Sequence, residues 1–379
     1  MFSIQRSRSR RAAAGLAVML AFASGGWLDS PVALADPGSR FLVITGAGSS
    51  NIGVLGLDRA GKLSKVAGSP FASGTGALSV TITPDGRKVY SANVVSGTVD
   101  GFELGADGTL TPIADAHLDL GGPGVGILAA PDGRTVFVST GSVTNELRSY
   151  RITDTGGLAP TGAAPVRIPG ISGLSMPAIS PDGKYLFLVG WLDATVISYA
   201  VGPNGALTQV DSVPAGLMST IPGVTPDGRF LYTSNEAEGN ISGYSIGGDG
   251  SLTPIPGSPF RTGVMPLPHG AMFTSDSKRL YMAEAMAGGI AGFAIAENGA
   301  LSPLPGSPYK APAGTLPGRV LVDSVSQHVF LIDTLTVQGT SRVHTYAMAA
   351  DGRLTSTDAP AVDTGLIFAD GPNAWVATQ

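Results

Sequence analysis

Pro226-Asp227-Gly228-Arg229-Phe230-Leu231-Tyr232-Thr233-Ser234-Asn235-Glu236 holds a turn, a strand and the start of a loop in eleven residues. Proline presets φ at the first corner of a turn, Asp caps it, and Gly accepts positive φ. The aromatic and β-branched run behind it has the composition of a short strand. The same turn recurs at Pro84-Asp85-Gly86-Arg87, Pro131-Asp132-Gly133-Arg134 and Pro181-Asp182-Gly183-Lys184. Degenerate copies follow at Ser275-Asp276-Ser277-Lys278 and Ser324-Val325-Ser326-Gln327, and the successive spacings are 47, 50, 45, 49 and 49 residues.

A second phrase, Gly-x-Leu, occurs seven times, at Gly61, Gly108, Gly156, Gly205, Gly250, Gly299 and Gly352. Asp or Asn often precedes it, the signal of a hairpin between apolar runs. A third, Gly-Ser-Pro-Phe/Tyr, connects units at Gly68, Gly257 and Gly306. Each unit of about 48 residues thus holds four short strands, A to D, with Pro-Asp-Gly between A and B and Gly-x-Leu between C and D. One such sheet cannot bury both faces, so the units must stack around an axis. The pattern predicts an all-β fold, a seven-bladed propeller of four-stranded antiparallel blades. The chain ends predict closure. A B-like strand starts at Arg40, and an A strand over residues 366–369 completes the first blade, followed by another B-like run over residues 374–378.

Bulk composition agrees. The chain has 379 residues, 43% hydrophobic and 13% charged, with 54 Gly and 28 Pro placed between apolar runs. The absence of cysteine excludes disulfides, thiolate nucleophiles and Cys-based metal sites. The four His residues, 117, 269, 328 and 344, show no metal-ligand spacing, so no metal site is predicted. No cofactor motif, phosphate-binding Gly loop or Gly-x-Ser-x-Gly elbow is present, so no cofactor is predicted. Arg6, Arg8, Arg10 and Arg11, the apolar residues 12–23 and Ala33-Leu34-Ala35 have the layout of an export signal. This predicts a signal peptide over residues 1–35 and one propeller domain over residues 36–379, acting outside the cytoplasm with no membrane-spanning segment after cleavage. The mature chain carries 19 basic and 27 acidic residues, a net charge of −8. An acidic surface without basic clusters argues against nucleic acid as a partner.

A–B and C–D turns share one face of such a blade, which leaves B–C and D–A loops for function on the other. Nine residues after each turn proline, the end of strand B reads Asn93, Thr140, Gly190, Asn235, Glu284, Asp333, and the next position includes Trp191 and Glu236. A purely structural position should look alike in every copy. The varied polar identities of Asn93, Trp191, Asn235, Glu284 and Asp333 therefore make them candidate ligand-binding residues at the channel mouth. The turn acids Asp85, Asp132, Asp182 and Asp227 match in every copy and are structural.

The turn, the Tyr232-Thr233-Ser234-Asn235 phrase and its relative Tyr90-Ser91-Ala92-Asn93, with Asn235-Glu236 and Gly-x-Leu, resemble the lactonase-type seven-bladed propeller family. That family includes 6-phosphogluconolactonase-like proteins and is close to exported propellers with a Tyr-Val-Thr-Asn repeat. The resemblance spans about residues 40–378 and implies the propeller fold and metal-independent hydrolysis of a lactone or sugar-derived ester. The family's Gly-Pro-Arg-His falls opposite Met218-Ser219-Thr220-Ile221, so its Arg and His are absent there. Pro268-His269-Gly270, in the next unit, offers an imidazole and Arg261 a cation. The resemblance thus implies a catalytic set of Glu236 as base, His269 as proton carrier and Arg261 or Asn235 as stabiliser. Two functions follow: a lactonase-like enzyme, or a non-catalytic exported propeller that binds a small molecule, carbohydrate or protein partner at its mouth.

Overall fold

The computed structural model describes residues 40–141, 145–168, 176–263, 267–334, 339–369 and 375–377. The predicted export signal lies outside these residues. The chain forms seven antiparallel sheets, each a blade whose strands run A to D from the inside outwards. The inner strands are Trp375–Ala377, Ala77–Ile82, Gly124–Ala129, Pro177–Ile179, Ser219–Val224, Pro268–Phe273 and Pro317–Asp323, for blades 1 to 7. Each inner strand neighbours the next in that order, and the last neighbours the first. In six blades the outermost strand is split into two short pieces that pair in succession with strand C.

Side-chain alternation along strand B explains the ring. In Arg40–Gly46 of blade 1, Phe41 and Val43 pack against Val80, Val89 and Phe102 of blade 2. Leu42 and Ile44 point the other way, against Leu321, Phe330 and Ile332 of blade 7. The period of two thus feeds two seams from one strand. The same division recurs at every seam, giving seven apolar clusters for seven interfaces.

The recurring phrases hold the turns and the seams. Asp85, Asp132, Asp182, Asp227 and Asp276 each accept the backbone N–H two residues on, at 2.8–3.1 Å. In four of these turns the Thr or Ser two residues before the Asp donates to the same carboxylate. The Gly-x-Leu glycine sits at positive φ, +84° at Gly299, and its carbonyl faces the neighbouring blade. Tyr232 donates to Gly299 O at 2.6 Å, Tyr90 to Gly156 O at 2.7 Å and Tyr281 to Gly352 O at 2.6 Å. The tyrosine of one blade therefore clips the C–D turn of the next. Tyr232→Phe keeps the packed ring but strands the Gly299 carbonyl, and it should lower stability by about 1 kcal/mol. A urea midpoint equal to wild type would show that the clip contributes nothing.

The first blade differs in one particular from the sequence expectation. Trp375–Ala377 is its inner strand and pairs antiparallel with Arg40–Gly46, with Leu42 opposite Val376. Residues 366–369 form no strand. Leu366 and Ala369 are fully buried plugs in the seam between blades 7 and 1. The Ile367 and Phe368 carbonyls accept from Gly48 and Ala47 in the B–C turn of blade 1. Strand A thus comes from Trp375–Ala377, inside the run that looks like a spare B strand.

Candidate active site

Asn93, Asn235 and Asp333 are fully or almost fully buried, so they do not line an open mouth. Buried polar groups must be bonded, and these bond the loops around them. Asn235 Oδ1 accepts from Gly216 N at 3.1 Å and from the Ser219 hydroxyl, while its amide donates to Ser242 Oγ at 2.9 Å. Asp333 Oδ1 accepts from Leu316 N at 2.9 Å, and Asn93 Oδ1 accepts from the Ser73 hydroxyl at 3.3 Å while its amide donates to Asp100 and Thr98 of strand C. Each ties the incoming D–A connection to the end of strand B. Different connections present different donors, and the bracket residue varies with them. Glu284 occupies this position in blade 6, fully buried, with no hydrogen bond to either carboxyl oxygen among the described residues. Burial pushes its carboxyl up to about 7, and nearby Thr262 pulls it down only in part. The Thr262 hydroxyl hydrogen goes to the Gly239 carbonyl at 3.1 Å. Trp191 is half-buried in the B–C turn of blade 4.

Glu236 and His269 do meet. Glu236 leaves strand B of blade 5 in a B–C turn held by its own N–H on the Met218 carbonyl, at 3.1 Å. His269 is the second residue of the inner strand of blade 6. His269 Nε2 lies 2.8 Å from Glu236 Oε1, with side-chain exposures of 15% and 10%. On its other edge, His269 Nδ1 lies 3.2 Å from the Gly318 carbonyl of blade 7. A carbonyl only accepts, so Nδ1 carries a proton and donates it. Three adjacent blades thus fix one imidazole in one orientation.

Arg261 does not join them. It lies on the outermost strand of blade 5, exposed, paired with Asn240. A cation does lie on the next inner strand: Arg319, the third residue of the inner strand of blade 7, is only 5% exposed. Gly270 follows His269 at φ +54°, and a Cβ there would lie 2.1 Å from Arg319 Nη1. The guanidinium occupies the place of a side chain, and the positive φ favours glycine here. A signal for Arg319 exists in the repeat. Leu316-Pro317-Gly318-Arg319 lies 49 residues after Leu267-Pro268-His269-Gly270. The family's His column reads Ile221, Gly270 and Arg319 in blades 5 to 7.

The backbone around the cluster is strained. Met218, Ile221 and Leu267 adopt φ of +55°, +45° and +47°. Positive φ is unfavourable for a β-branched residue, and such strain concentrates at functional sites. Ile221 and Gly270 lie at equivalent irregularities, between Thr220 and Gly223 and between His269 and Met272. Bulges of this kind re-aim side chains next to active sites. Below the cluster the channel holds a chamber of about 250 Å³, lined by the inner strands of blades 3 to 7. Among the described residues, no group of three or more His, Cys, Asp or Glu converges, and no helix is long and apolar enough to cross a membrane.

Chemically, the site offers a carboxylate, an imidazole with one edge fixed, and a cation on the next strand. The fold is shared with the periplasmic gluconolactonase of Pseudomonas aeruginosa, at TM-score 0.72 and 18% identity over 90% of this chain and 99% of that one. A Bacteroides uniformis protein provisionally assigned as a 6-phosphogluconolactonase gives 0.70 and 17% over 89% and 99%. A functionally unknown protein of Desulfotomaculum acetoxidans gives 0.69 and 16% over the same shares. No curated protein matches the sequence. The model of the family described as "Lactonase, 7-bladed beta-propeller" matches residues 32–169 and 144–316, which together span most of the chain. With the seven blades and their turns, that match assigns the protein: it belongs to the seven-bladed β-propeller lactonase family.

Proposed function

We propose that the chain hydrolyses a lactone at the channel mouth, with Glu236, His269 and Arg319 as the working groups. The observation that carries this reading is the 2.8 Å contact between Glu236 and His269, made by residues of two blades beside a buried arginine from a third. Water attacks the lactone carbonyl and gives its proton to Glu236. Charge develops on the carbonyl oxygen, and the Arg319 guanidinium stabilises it. The ring C–O bond breaks, and the leaving alkoxide takes the proton on His269 Nε2. The proton on Glu236 passes back to His269 across their hydrogen bond, and a hydroxy acid leaves. The residues that perform the step all belong to the protein. Export is part of the reading, supported by the basic start, the apolar residues 12–23 and Ala33-Leu34-Ala35.

Each turnover releases one proton when the product acid ionises, so a pH-stat follows it directly. On a panel of lactones, the purified protein should turn over at least one well above the buffer rate. Arg319→Met should lower kcat about 10²–10³-fold, the usual cost of one oxyanion donor. No turnover of any lactone would send the search to ligands bound without reaction.

A further inference from the structure

We propose that the lactone taken by this site carries an apolar substituent, which lies in the chamber of the channel beneath Arg319. This rests on the lactonase reading and adds the class of substrate. Of the 14 residues that line the chamber, Arg319 alone has a polar side chain. The remainder includes Leu128, Ile179, Val224, Met272 and Phe273. A polyhydroxylated or phosphorylated lactone would have to give up its hydration here with one cationic side chain in return, and an unpaired hydroxyl costs free energy in such a place. A hydrocarbon substituent gains by the same transfer.

The chamber is continuous with the reacting groups through one residue. Inner strands start at the mouth and end at the A–B turns. His269 is second in its strand, whereas Ala271, Met272 and Phe273 are fourth to sixth, and Pro226 belongs to a turn. Arg319, third in its own strand, lies against Gly270 and also lines the chamber. It therefore sits at the boundary, with the Glu236–His269 pair on one side and the apolar walls on the other. Three residues of strand make the chamber about 10 Å deep. A volume of 250 Å³ holds roughly eight groups of water size, each about 30 Å³, which fits a medium-length alkyl chain or an aromatic ring. A lactone whose carbonyl meets Arg319 then directs its substituent downwards.

The test measures kcat/KM for γ-butyrolactone, γ-hexalactone, γ-octalactone and γ-decalactone, with glucono-δ-lactone alongside. The expected result is a rise of up to about fourfold per methylene, ending in a plateau when the chamber is full, with glucono-δ-lactone the poorest. Ala178→Phe narrows the chamber and should bring the decalactone-to-butyrolactone ratio close to one. Phe273→Ala enlarges it and should move the plateau to longer chains, which keeps the test open if the first variant folds poorly. A preference for glucono-δ-lactone with no gain along the alkyl series overturns the inference and leaves the lactonase reading standing. If no lactone is hydrolysed, titration calorimetry with γ-decalactone separates the two. Saturable binding weakened by Ala178→Phe supports the chamber as an apolar site while the lactonase reading falls, and no binding overturns both.

Discussion

Glu236→Gln should leave a folded propeller whose kcat on a turned-over lactone is lower by about 10²–10⁴-fold, the usual worth of a positioned general base. The substitution is nearly isosteric. The glutamine amide can still donate to His269 Nε2, so the imidazole keeps its place between blades 5 and 7. What disappears is a group able to take a proton from water. The loss should fall on kcat, with KM changed only a few-fold, because the carboxylate acts in the transition state and not in holding the substrate. A melting temperature close to wild type would separate this from unfolding. A kcat within twofold of wild type would place water activation elsewhere and reduce Glu236 to a brace for His269.

The reach of sequence reading can be judged from single residues. Pro226-Asp227-Gly228 declares itself because turn chemistry is local, and the Asp227 bond is repeated by the Asp of four other copies. Tyr232 and Gly299 were each legible as parts of a repeat, but their bond crosses from blade to blade, and only the packed ring shows it. Glu236, His269 and Arg261 were reached through the resemblance, the last two because they lie near the family's missing Arg and His in sequence. Proximity along a strand of an outer edge does not carry a side chain to the axis, whereas Arg319, 50 residues beyond His269, lies on an inner strand. Asn93, Asn235 and Asp333 vary as well, yet the structure buries them in bonds to their own loops. The inner strand of blade 1 was expected over residues 366–369 and is Trp375–Ala377, because a three-residue inner strand carries too little pattern to be told from a buried connection.

Arg40→Met should destabilise the protein by about 3–5 kcal/mol at neutral pH, the range found when one partner of a buried ion pair is removed. Arg40 lies on strand B of blade 1, and its guanidinium pairs with Asp323 at the end of the inner strand of blade 7. Both side chains are nearly inaccessible, with exposures of 8% and 3%. The pair therefore spans the seam between blades 7 and 1. Arg40 also donates to the Asp58 carbonyl at 3.0 Å. Asp323 stands where other blades have Thr, Ser or Ala before the A–B turn, and it accepts from Val325 N at 3.1 Å and Ser326 N at 3.2 Å. Desolvation alone would raise its carboxyl, but the bonds from Arg40 and Ser326 outweigh it and hold it below the ordinary aspartate value. A depressed carboxyl stabilises the folded state above its unfolded value of 3.8, and that contribution drains away as pH falls through the folded value. The gap between wild type and Arg40→Met should therefore be widest at neutral pH and close under acid. Adding Asp323→Asn to Arg40→Met removes the stranded charge and should recover part of the loss. Urea unfolding at several pH values measures all three proteins. A double variant no more stable than Arg40→Met, with a gap that ignores pH, would mean that Arg40 holds the seam by packing and not by charge.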